Sequence, residues 1–184
     1  MKNYYIADLH FAHANIIRHC NRPFPDVETM DQTLINNWNE VVTDNDTVYI
    51  LGDFCFTRKV PPNIYLNQLK GKKILIAGNH DQAILERGTY PGFDQIHDYL
   101  MIQDVIRNTR YRVALFHYPM VEWDGYFKNS IHLYGHIHNN TDNDAYKHMK
   151  SVKNAYNVGA DILDFRPRTL DEVIRYNKKF FAQN

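Results

Sequence analysis

The sequence predicts an α/β protein in which helices cover both faces of a sheet. Short apolar runs of strand length alternate along the chain with segments in which apolar residues recur at helical spacing. The strand-like runs are almost continuously apolar, which is typical of strands buried on both faces. Most of the runs are followed by Asp, Asn or His, either directly or after a single glycine. In folds of this class ligands bind beyond the carboxyl ends of the strands, so these polar residues are expected to share one rim of the sheet.

The first half of the chain contains three predicted strands and three predicted helices. The strands are apolar runs rich in β-branched and aromatic residues, and turn residues stop each of them. They cover residues 4–7, 47–51 and 73–77. The helices are predicted from apolar residues at helical spacing, and the third of them follows two prolines. They cover residues 15–20, 27–42 and 64–69.

The second half adds three predicted strands and a final helix. The strands cover residues 112–116, 131–134 and 155–158. The helix is predicted to begin at Thr169, because Thr169 and Glu172 have capping-box spacing and apolar residues follow at helical intervals as far as Phe181. The chain shows neither an internal repeat nor a Gly/Ser-rich linker, so residues 1–184 are expected to form a single domain.

Composition excludes several classes of function. The 184 residues include 21 Lys plus Arg and 21 Asp plus Glu, so the formal net charge is zero and binding to long nucleic acid is not expected. No apolar run approaches the roughly 20 residues that span a bilayer, so a soluble, cytoplasmic protein without membrane contact is expected. Cys20 and Cys55 lie far apart, which excludes a disulfide framework and favours buried free thiols.

Five groups of chemically active residues follow the predicted strands. They are Asp8 with His10, Asp53, the segment Asn79-His80-Asp81, His117, and His136 with His138. Taken singly, all but the last are more typical of turns or hydrogen-bonded strand ends. The pair His136 and His138 stands apart, because residues two apart on an extended segment point the same way.

The groups taken together indicate a metal centre. Gathering so many polar side chains at one rim costs desolvation energy unless a positive charge balances them. Imidazole, carboxylate and amide donors suit divalent Mn, Fe, Zn or Co. The donors outnumber the ligands of one tetrahedral zinc. Two ions about 3.5–4 Å apart, bridged by a carboxylate, use them better.

The same series of motifs resembles the calcineurin-like metallophosphoesterase family. The motifs are Asp8-x-His10, Gly52-Asp53, Gly78-Asn79-His80-Asp81, His117 and Gly135-His136-x-His138, in the order of that family. Residues 8–17 and the segment Asn157-Val158-Gly159-Ala160-Asp161 are similar to a small, single-domain bacterial and phage branch of it. The resemblance implies a two-layer β-sandwich flanked by helices. The strand pattern alone does not distinguish that fold from a doubly wound sheet.

The resemblance also implies the roles of the rim residues. The first metal would be held by Asp8, His10 and His138. The second metal would be held by Asn79, His117 and His136. Asp53 would bridge the two metals, and His80 would assist the leaving group instead of binding metal.

The implied activity is hydrolysis of phosphate esters by a metal-activated hydroxide. Phosphodiesters are the expected substrates, and a small, nucleotide-like ester is the expected partner. The expected cofactors are two divalent ions, with manganese first and iron, zinc, cobalt or nickel as alternatives. The competing hypotheses are a phosphomonoesterase of the same family and a non-catalytic, metal-binding interaction module on this fold.

Several further residues are candidates for contact with the substrate. They are His13, Asn15, Arg18 and Asp81. Two of them have alternatives: Asn15 could cap a helix, and Arg18, like Arg22, could be a solvated surface residue instead of a phosphate contact. Tyr118, Trp123 and Tyr126 are candidate pocket walls, with core packing as the alternative.

Overall fold

Two four-stranded sheets organise the part of the chain that the structure describes. That part, in a computed structural model, comprises residues 1–56, 60–86 and 90–183. The strands are β1 (Asn3–Ile6), β2 (Thr47–Ile50), β3 (Lys72–Ile76), β4 (Gln95–His97), β5 (Tyr99–Ile106), β6 (Thr109–Phe116), β7 (Ile131–Tyr134) and β8 (Ala155–Asn157). The helices are α1 (Ala14–His19), α2 (Val27–Val41), α3 (Asn63–Leu66), α4 (Gln82–Leu85), α5 (Asp144–Met149) and α6 (Leu170–Gln183).

The first sheet has the order β1-β2-β3-β4 and is parallel throughout. Tyr4 pairs with Val48, and Val48 pairs with Lys73. Because the strands run in the same direction, the residues that follow β1, β2 and β3 emerge at one edge of the sheet. The predicted strands over 4–7, 47–51 and 73–77 are therefore confirmed, each within one residue.

The second sheet has the order β5-β6-β7-β8. Strands β6, β7 and β8 are parallel, and β5 joins β6 as an antiparallel hairpin. The hairpin turns through Arg107 and Asn108, which both have positive φ. Strands β4 and β5 were not predicted, because β4 is only three residues long and β5 is largely half-exposed, so neither presents a continuous apolar run.

The two sheets are joined where they meet the polar rim. Val158 directly follows β8; its N–H donates to the carbonyl of Tyr134, and its own carbonyl accepts from the N–H of Ala7. Ala7 and Gly159 also form a parallel bridge. The backbone therefore connects the end of β1 in the first sheet to the ends of β7 and β8 in the second.

Apolar side chains fill three successive layers among the described residues. One layer packs α1, α2 and α3 against the outer face of the first sheet, with Trp38 and Ile50 fully buried. A second lies between the sheets, where Tyr5 and Leu133 are fully buried. A third covers the outer face of the second sheet with α5. The architecture is the helix-flanked two-layer sandwich that the family resemblance implies, and it replaces the single covered sheet expected from the strand pattern.

Side-chain hydrogen bonds cap the start of both long helices. Asp26 caps α2 by accepting a hydrogen bond from the N–H of Thr29 at 2.7 Å. The N–H and Oγ1 of Thr169 both donate to the carboxylate of Glu172 at the start of α6. Among the described residues, none of the helices is both long and apolar enough to cross a membrane.

Candidate metal centre

The segments that follow β1 and β2 lie side by side at the rim. The N–H of Asp8 donates to the carbonyl of Gly52, and the N–H of His10 donates to the carbonyl of Asp53. Asp8, His10 and Asp53 all have φ near +55°, a conformation that residues other than glycine rarely adopt. Such strained backbone concentrates at functional sites, where the surrounding structure holds it in place.

Two sets of side chains bring potential metal ligands together at this rim. Asp8, His10 and His138 form the first set, and the ligand atoms within it lie within 4.8 Å of one another. The second set meets the same criterion and comprises Asp53, His117 and His136.

Asp53, a member of the second set, also lies close to the first set. Its Oδ2 is 3.7 Å from Nε2 of His10 in the first set and 3.6 Å from Nε2 of His117 in the second. A carboxylate in this position can serve both sets at once, as the bridging role implied by the resemblance requires.

His117 has its tautomer set by the backbone. Its Nδ1 donates to the carbonyl of Leu51 at 2.7 Å, since a carbonyl oxygen only accepts. In the neutral ring Nε2 then carries a lone pair, and it faces Oδ1 of Asn79 at 3.1 Å as well as the Asp53 carboxylate. Three potential ligand atoms facing the same space can hold a cation between them.

Asn79 extends the second set. Its Oδ1 lies 3.1 Å from Nε2 of His117 and 3.0 Å from Nδ1 of His136. One amide oxygen therefore faces two ring nitrogens, which suits a shared divalent ion better than two separate hydrogen bonds.

The first set contains an unsatisfied polar atom. Nε2 of His10 is buried and has no hydrogen-bond partner among the described residues. Buried polar atoms are nearly always satisfied, so an unpartnered ring nitrogen beside Asp8 and Asp53 fits the role of a metal ligand. These residues fit a pair of divalent ions.

The electrostatics of the first set support the same fit. Burial raises the pKa of Asp8 to about 6, and the nearby ring of His138 acts in the opposite direction. Burial alone would lower the pKa of His138, but the charge of Asp8 and the hydrogen bond to Asp161 outweigh it and raise that pKa to about 11. Burial thus disfavours the ionised form of Asp8 unless a positive charge lies beside it, and a metal ion bound by the first set would supply that charge.

The pair His136 and His138 corrects one argument made from the sequence. The two residues do not lie on an extended segment, because β7 ends at Tyr134 and both histidines have positive φ, 68° and 49°. The turn sends the two side chains to different sets, His136 to the second and His138 to the first. The expectation that the two histidine side chains point the same way is therefore wrong.

Asp81 does not reach the substrate pocket, which corrects its prediction as a substrate-binding residue. The side chain is fully buried. Its carboxylate accepts hydrogen bonds from the N–H groups of Asp53, Phe54 and Gly78 at 2.8–3.0 Å. Asp81 therefore ties the segment after β2 to the segment after β3 from beneath.

The rim opens into a pocket of about 490 Å³. Residues of both sets line it together with His13 and His80, and neutral polar side chains from the segment after His138 complete it: Asn139, Asn140 and Asn143. His80 is exposed, its N–H donates to Oδ1 of Asp53, and its ring centroid lies 5.3 Å from that of His10. A larger cavity of about 580 Å³ lies near Met1 and Arg107, away from these groups.

His13 is the substrate-binding candidate that lies in the pocket. Its Nδ1 is 3.3 Å from Nδ1 of His10, and its ring stacks on Phe56 with centroids 4.7 Å apart. Asn15 and Arg18 are exposed on α1 and do not line this pocket. Arg18 instead lines a neighbouring shallow cavity. The structure therefore does not support contact of Asn15 or Arg18 with a substrate bound at the rim.

Of the three aromatic candidates for pocket walls, one borders the rim and two do not. Tyr118 is partly exposed, and its ring packs edge-on against His136 with centroids 4.7 Å apart. Trp123 is buried, and its indole N–H donates to Oγ of Ser130. Tyr126 packs on Trp123. Tyr118 thus borders the rim, whereas the other two belong to the packing of the second sheet.

Two important residues were not identified from the sequence. Arg22 was expected to be a solvated surface residue or a phosphate contact, but its side chain is fully buried beneath His138. It pairs with Asp161, which also accepts from Nδ1 of His138 at 2.8 Å. The sequence signal for Asp161 is the segment Asn157–Asp161, which is similar to one branch of the family but does not by itself imply a role for Asp161.

Comparisons with known proteins agree with this geometry. Residues 1–158 match the family model described as calcineurin-like phosphoesterase. The uncharacterized protein MJ1445 of Methanocaldococcus jannaschii is 35% identical over 180 residues, which cover 97% of this chain and 92% of that protein. The Gene 66 protein of Mycobacterium phage L5 is 27% identical over 165 residues, covering 73% of this chain and 76% of that protein.

A solved structure is similar along most of the chain. The crystal structure of the protein of unknown function AQ665 from Aquifex aeolicus is 28% identical and has a TM-score of 0.69. The match covers 94% of this chain and 97% of that one. The likeness therefore extends over both sheets.

Proposed function

Because the chain belongs to the calcineurin-like phosphoesterase family, we propose that it hydrolyses phosphodiesters with a pair of divalent metal ions bound at the rim. The observation that carries the proposal is the position of Asp53. One carboxylate oxygen of Asp53 lies within 4 Å of ring nitrogens from both ligand sets. A shared carboxylate between two clusters of acceptors is the arrangement that a two-metal hydrolase uses.

The donors are assigned to two ions. The first would be held by Asp8, His10 and His138. The second would be held by Asn79, His117 and His136. Asp53 would bridge them. When bound, the two cations supply positive charge that acidifies a water molecule and neutralises a phosphate ester. Imidazole, carboxylate and amide donors suit Mn²⁺, with Fe, Zn, Co and Ni as alternatives.

His80 is the proposed proton donor to the leaving group. It lines the pocket, and its backbone N–H is held by Asp53, so the side chain stands beside the bridge between the two ligand sets. A positioned imidazole contributes about 10²–10⁴-fold by general acid catalysis. The exposed ring can reach an ester oxygen that leaves toward solvent.

His13 is proposed to bind the phosphate or the leaving group. If Nε2 of His10 binds metal, Nδ1 of His10 keeps its hydrogen and donates to Nδ1 of His13. The ring proton of His13 is then on Nε2. His13 becomes a hydrogen-bond donor in the pocket, with its ring plane held by the stack on Phe56.

The lining of the pocket favours diesters over monoesters. A monoester carries close to two negative charges near neutral pH, and a diester carries one. Among the described residues that line the pocket, none is Lys or Arg. Arg22 is buried beneath the site, and Arg18 lines a different cavity. The protein therefore offers little additional positive charge for a dianion, and its amide-rich wall suits a neutral, nucleotide-like substituent.

The test compares two model esters on metal-loaded protein. Protein stripped with EDTA and reloaded with Mn²⁺ is assayed with bis(p-nitrophenyl) phosphate and p-nitrophenyl phosphate. We expect metal-dependent turnover with a higher kcat/KM for the diester. His80→Gln should retain both ions and lose about 10²-fold or more in kcat. Asp53→Asn should lose metal.

His148→Gln is the matched control, because His148 is exposed on α5 and lies outside the pocket. It should keep wild-type metal content and turnover. Full activity of His80→Gln would contradict the proposed role of His80. Protein that binds two ions and hydrolyses neither ester would favour the interaction module over the enzyme.

A further inference from the structure

A buried ion pair lies directly beneath the first ligand set. It consists of Arg22, from the segment after α1, and Asp161, from the segment after β8. We propose that Arg22 and Asp161 form the positioning unit of the first metal site, fixing the ring of His138 and the backbone that carries Asp8 and His10. This inference rests on the proposed metal centre and not on the choice of ester.

Asp161 is held from two sides. Oδ1 accepts from Nε of Arg22 at 2.8 Å, and Oδ2 accepts from Nη2 of Arg22 at 3.2 Å. Oδ2 also accepts from Nδ1 of His138 at 2.8 Å. The side chains of Arg22 and Asp161 are 0% and 1% exposed, so solvent does not compete for these bonds.

The hydrogen bond from His138 decides which ring nitrogen can bind metal. Because a carboxylate only accepts, Nδ1 of His138 carries the hydrogen. Nε2 is left for the ion shared with Asp8 and His10. A carboxylate behind a metal-binding histidine fixes the ring orientation and raises the basicity of the ligand.

Arg22 also holds the backbone of the ligand segment. Its Nη1 donates to the carbonyl of Leu9 at 3.0 Å, and its Nη2 donates to the carbonyl of Asp8 at 2.7 Å. Asp8 and His10 flank this position, and both have positive φ. One guanidinium therefore connects all three members of the first set: two through the main chain, and His138 through Asp161.

Stability alone is a poor explanation for this pair. Burying two charges costs desolvation energy, and well-packed apolar residues of similar volume are often as stable or more stable. An apolar pair could not, however, select a tautomer of His138 or hold the carbonyls of Asp8 and Leu9. The hydrogen-bond pattern points to positioning of ligands.

A direct metal-binding role for Asp161 is the competing explanation. Cys20, His138 and Asp161 also bring ligand atoms within 4.8 Å of one another. In that set, however, Nδ1 of His138 and both oxygens of Asp161 are already bonded to each other and to Arg22. The set is thus the support of the first site and not a third site, so Cys20→Ser should keep both ions.

The experiment measures Mn²⁺ binding to EDTA-stripped full-length protein. Stoichiometry and affinity are measured by titration calorimetry, and coupling between the ions is measured by electron paramagnetic resonance. We expect Asp161→Ala and Asp161→Asn to weaken one of the two sites by about 10–100-fold. The spin-coupled pair signal should give way to a single-ion signal from the second site. Arg22→Lys should act in the same direction, because one ammonium cannot make all four bonds.

The matched control is Asp46→Asn. Asp46 is also a buried carboxylate that accepts several hydrogen bonds, but it precedes β2, at the end of the strand opposite to Asp53. This variant should lower the melting temperature and keep both ions and their coupling. Asp161→Asn keeps the side-chain volume, so a folding defect of Asp161→Ala does not decide the outcome.

Two coupled ions at wild-type affinity in both Asp161 variants would overturn the inference, whatever their melting temperatures. Loss of an ion in Cys20→Ser would overturn it in favour of direct coordination. The proposed function could fail while this inference stands. That outcome requires wild-type protein that binds two coupled ions but hydrolyses neither ester, and Asp161 variants that bind only one ion.

Discussion

At the rim, Gly78 has almost no free volume around its Cα. A Cβ added to Gly78 would overlap Oδ1 of Asp53 and lie 2.7 Å from its backbone nitrogen. The N–H of Asp53 donates to Asp81, and Oδ1 of Asp53 accepts from the N–H of His80, so neither atom can move freely. The small size of Gly78 is therefore a condition for placing the carboxylate of Asp53.

Gly78→Ala should reduce both metal binding and stability. We expect at least tenfold weaker Mn²⁺ affinity, measured by calorimetry, with a loss of about 1–3 kcal/mol in the free energy of unfolding from overpacking. Gly71→Ala is the control, since a Cβ there would meet Val42 and the carbonyl of Asp46, far from the rim. It should destabilise the fold and leave metal affinity unchanged. Wild-type affinity in Gly78→Ala would contradict the argument.

His13→Phe tests the proposed substrate contact. Phenylalanine can keep the stack on Phe56 and removes both ring nitrogens. We expect kcat/KM for the diester to fall about tenfold or more, because a hydrogen bond to a charged group is lost, while both ions stay bound. Asn15→Ala, two residues away and outside the pocket, should change neither quantity. Equal kinetics for His13→Phe and wild type would remove His13 from the site.

At this scale the sequence predicts which residues meet but not how they are supported. Asp8, Asp53, Asn79 and His117 could be placed at one rim because each follows a parallel strand. The burial of Arg22 could not be predicted, because its partner Asp161 lies 139 positions away along the chain. Long-range pairs of this kind leave no local pattern.

At the scale of elements, the approach to β2 depends on a buried carboxylate. Asp46 accepts hydrogen bonds from the N–H and Oγ1 of Thr43 and from the N–H of Lys2. Burial of the side chain acts to raise the pKa of Asp46, but these hydrogen bonds outweigh it and hold the pKa below its usual value. The bonds connect the start of β1 to the start of β2.

Because the pKa of Asp46 is lower in the folded state, its ionised form stabilises the fold. That contribution is present above the unfolded pKa of about 3.9 and is lost as the pH falls through the folded value. At neutral pH, Asp46→Asn should cost about 1–3 kcal/mol. The difference in melting temperature between wild type and Asp46→Asn should shrink between pH 5 and pH 2. A difference that does not depend on pH would contradict this reasoning.

The pattern of apolar residues in the sequence predicts some strands well and misses others. β2, β3 and β7 are predicted well because both of their faces are covered, so their apolar runs are continuous. β5 lies at the edge of its sheet and is largely half-exposed, and β4 is only three residues long. Short or half-exposed elements depend on tertiary contacts that the local sequence does not encode.

At the scale of the whole molecule, the candidate metal centre draws its residues from both sheets. Asp8, Asp53 and Asn79 follow strands of the first sheet, whereas His117 and His136 follow strands of the second. An ion bound by residues from both sheets stabilises their packing as well as the local segments. Stability and metal loading should therefore rise together.

Removal of metal should lower the melting temperature substantially. A site at a hundredfold excess of ion over its dissociation constant adds about 2.7 kcal/mol. For a domain of this size that is roughly 5–10 °C per site. Thermal unfolding with EDTA and with Mn²⁺ measures the shift, and Asp53→Asn should show little of it. Identical melting temperatures in the two conditions would be inconsistent with ions that span the sheets.

The boundary between the two sheets falls at Asp98, between β4 and β5. A polypeptide cut there would yield one fragment with Asp8, His10, Asp53 and Asn79, and another with His117, His136 and His138. Each fragment would carry an incomplete set of donors, so neither should release nitrophenol by itself. Mixing them should restore colour only when they reassemble, so the proposed activity would make this protein a candidate for a split reporter of fragment association.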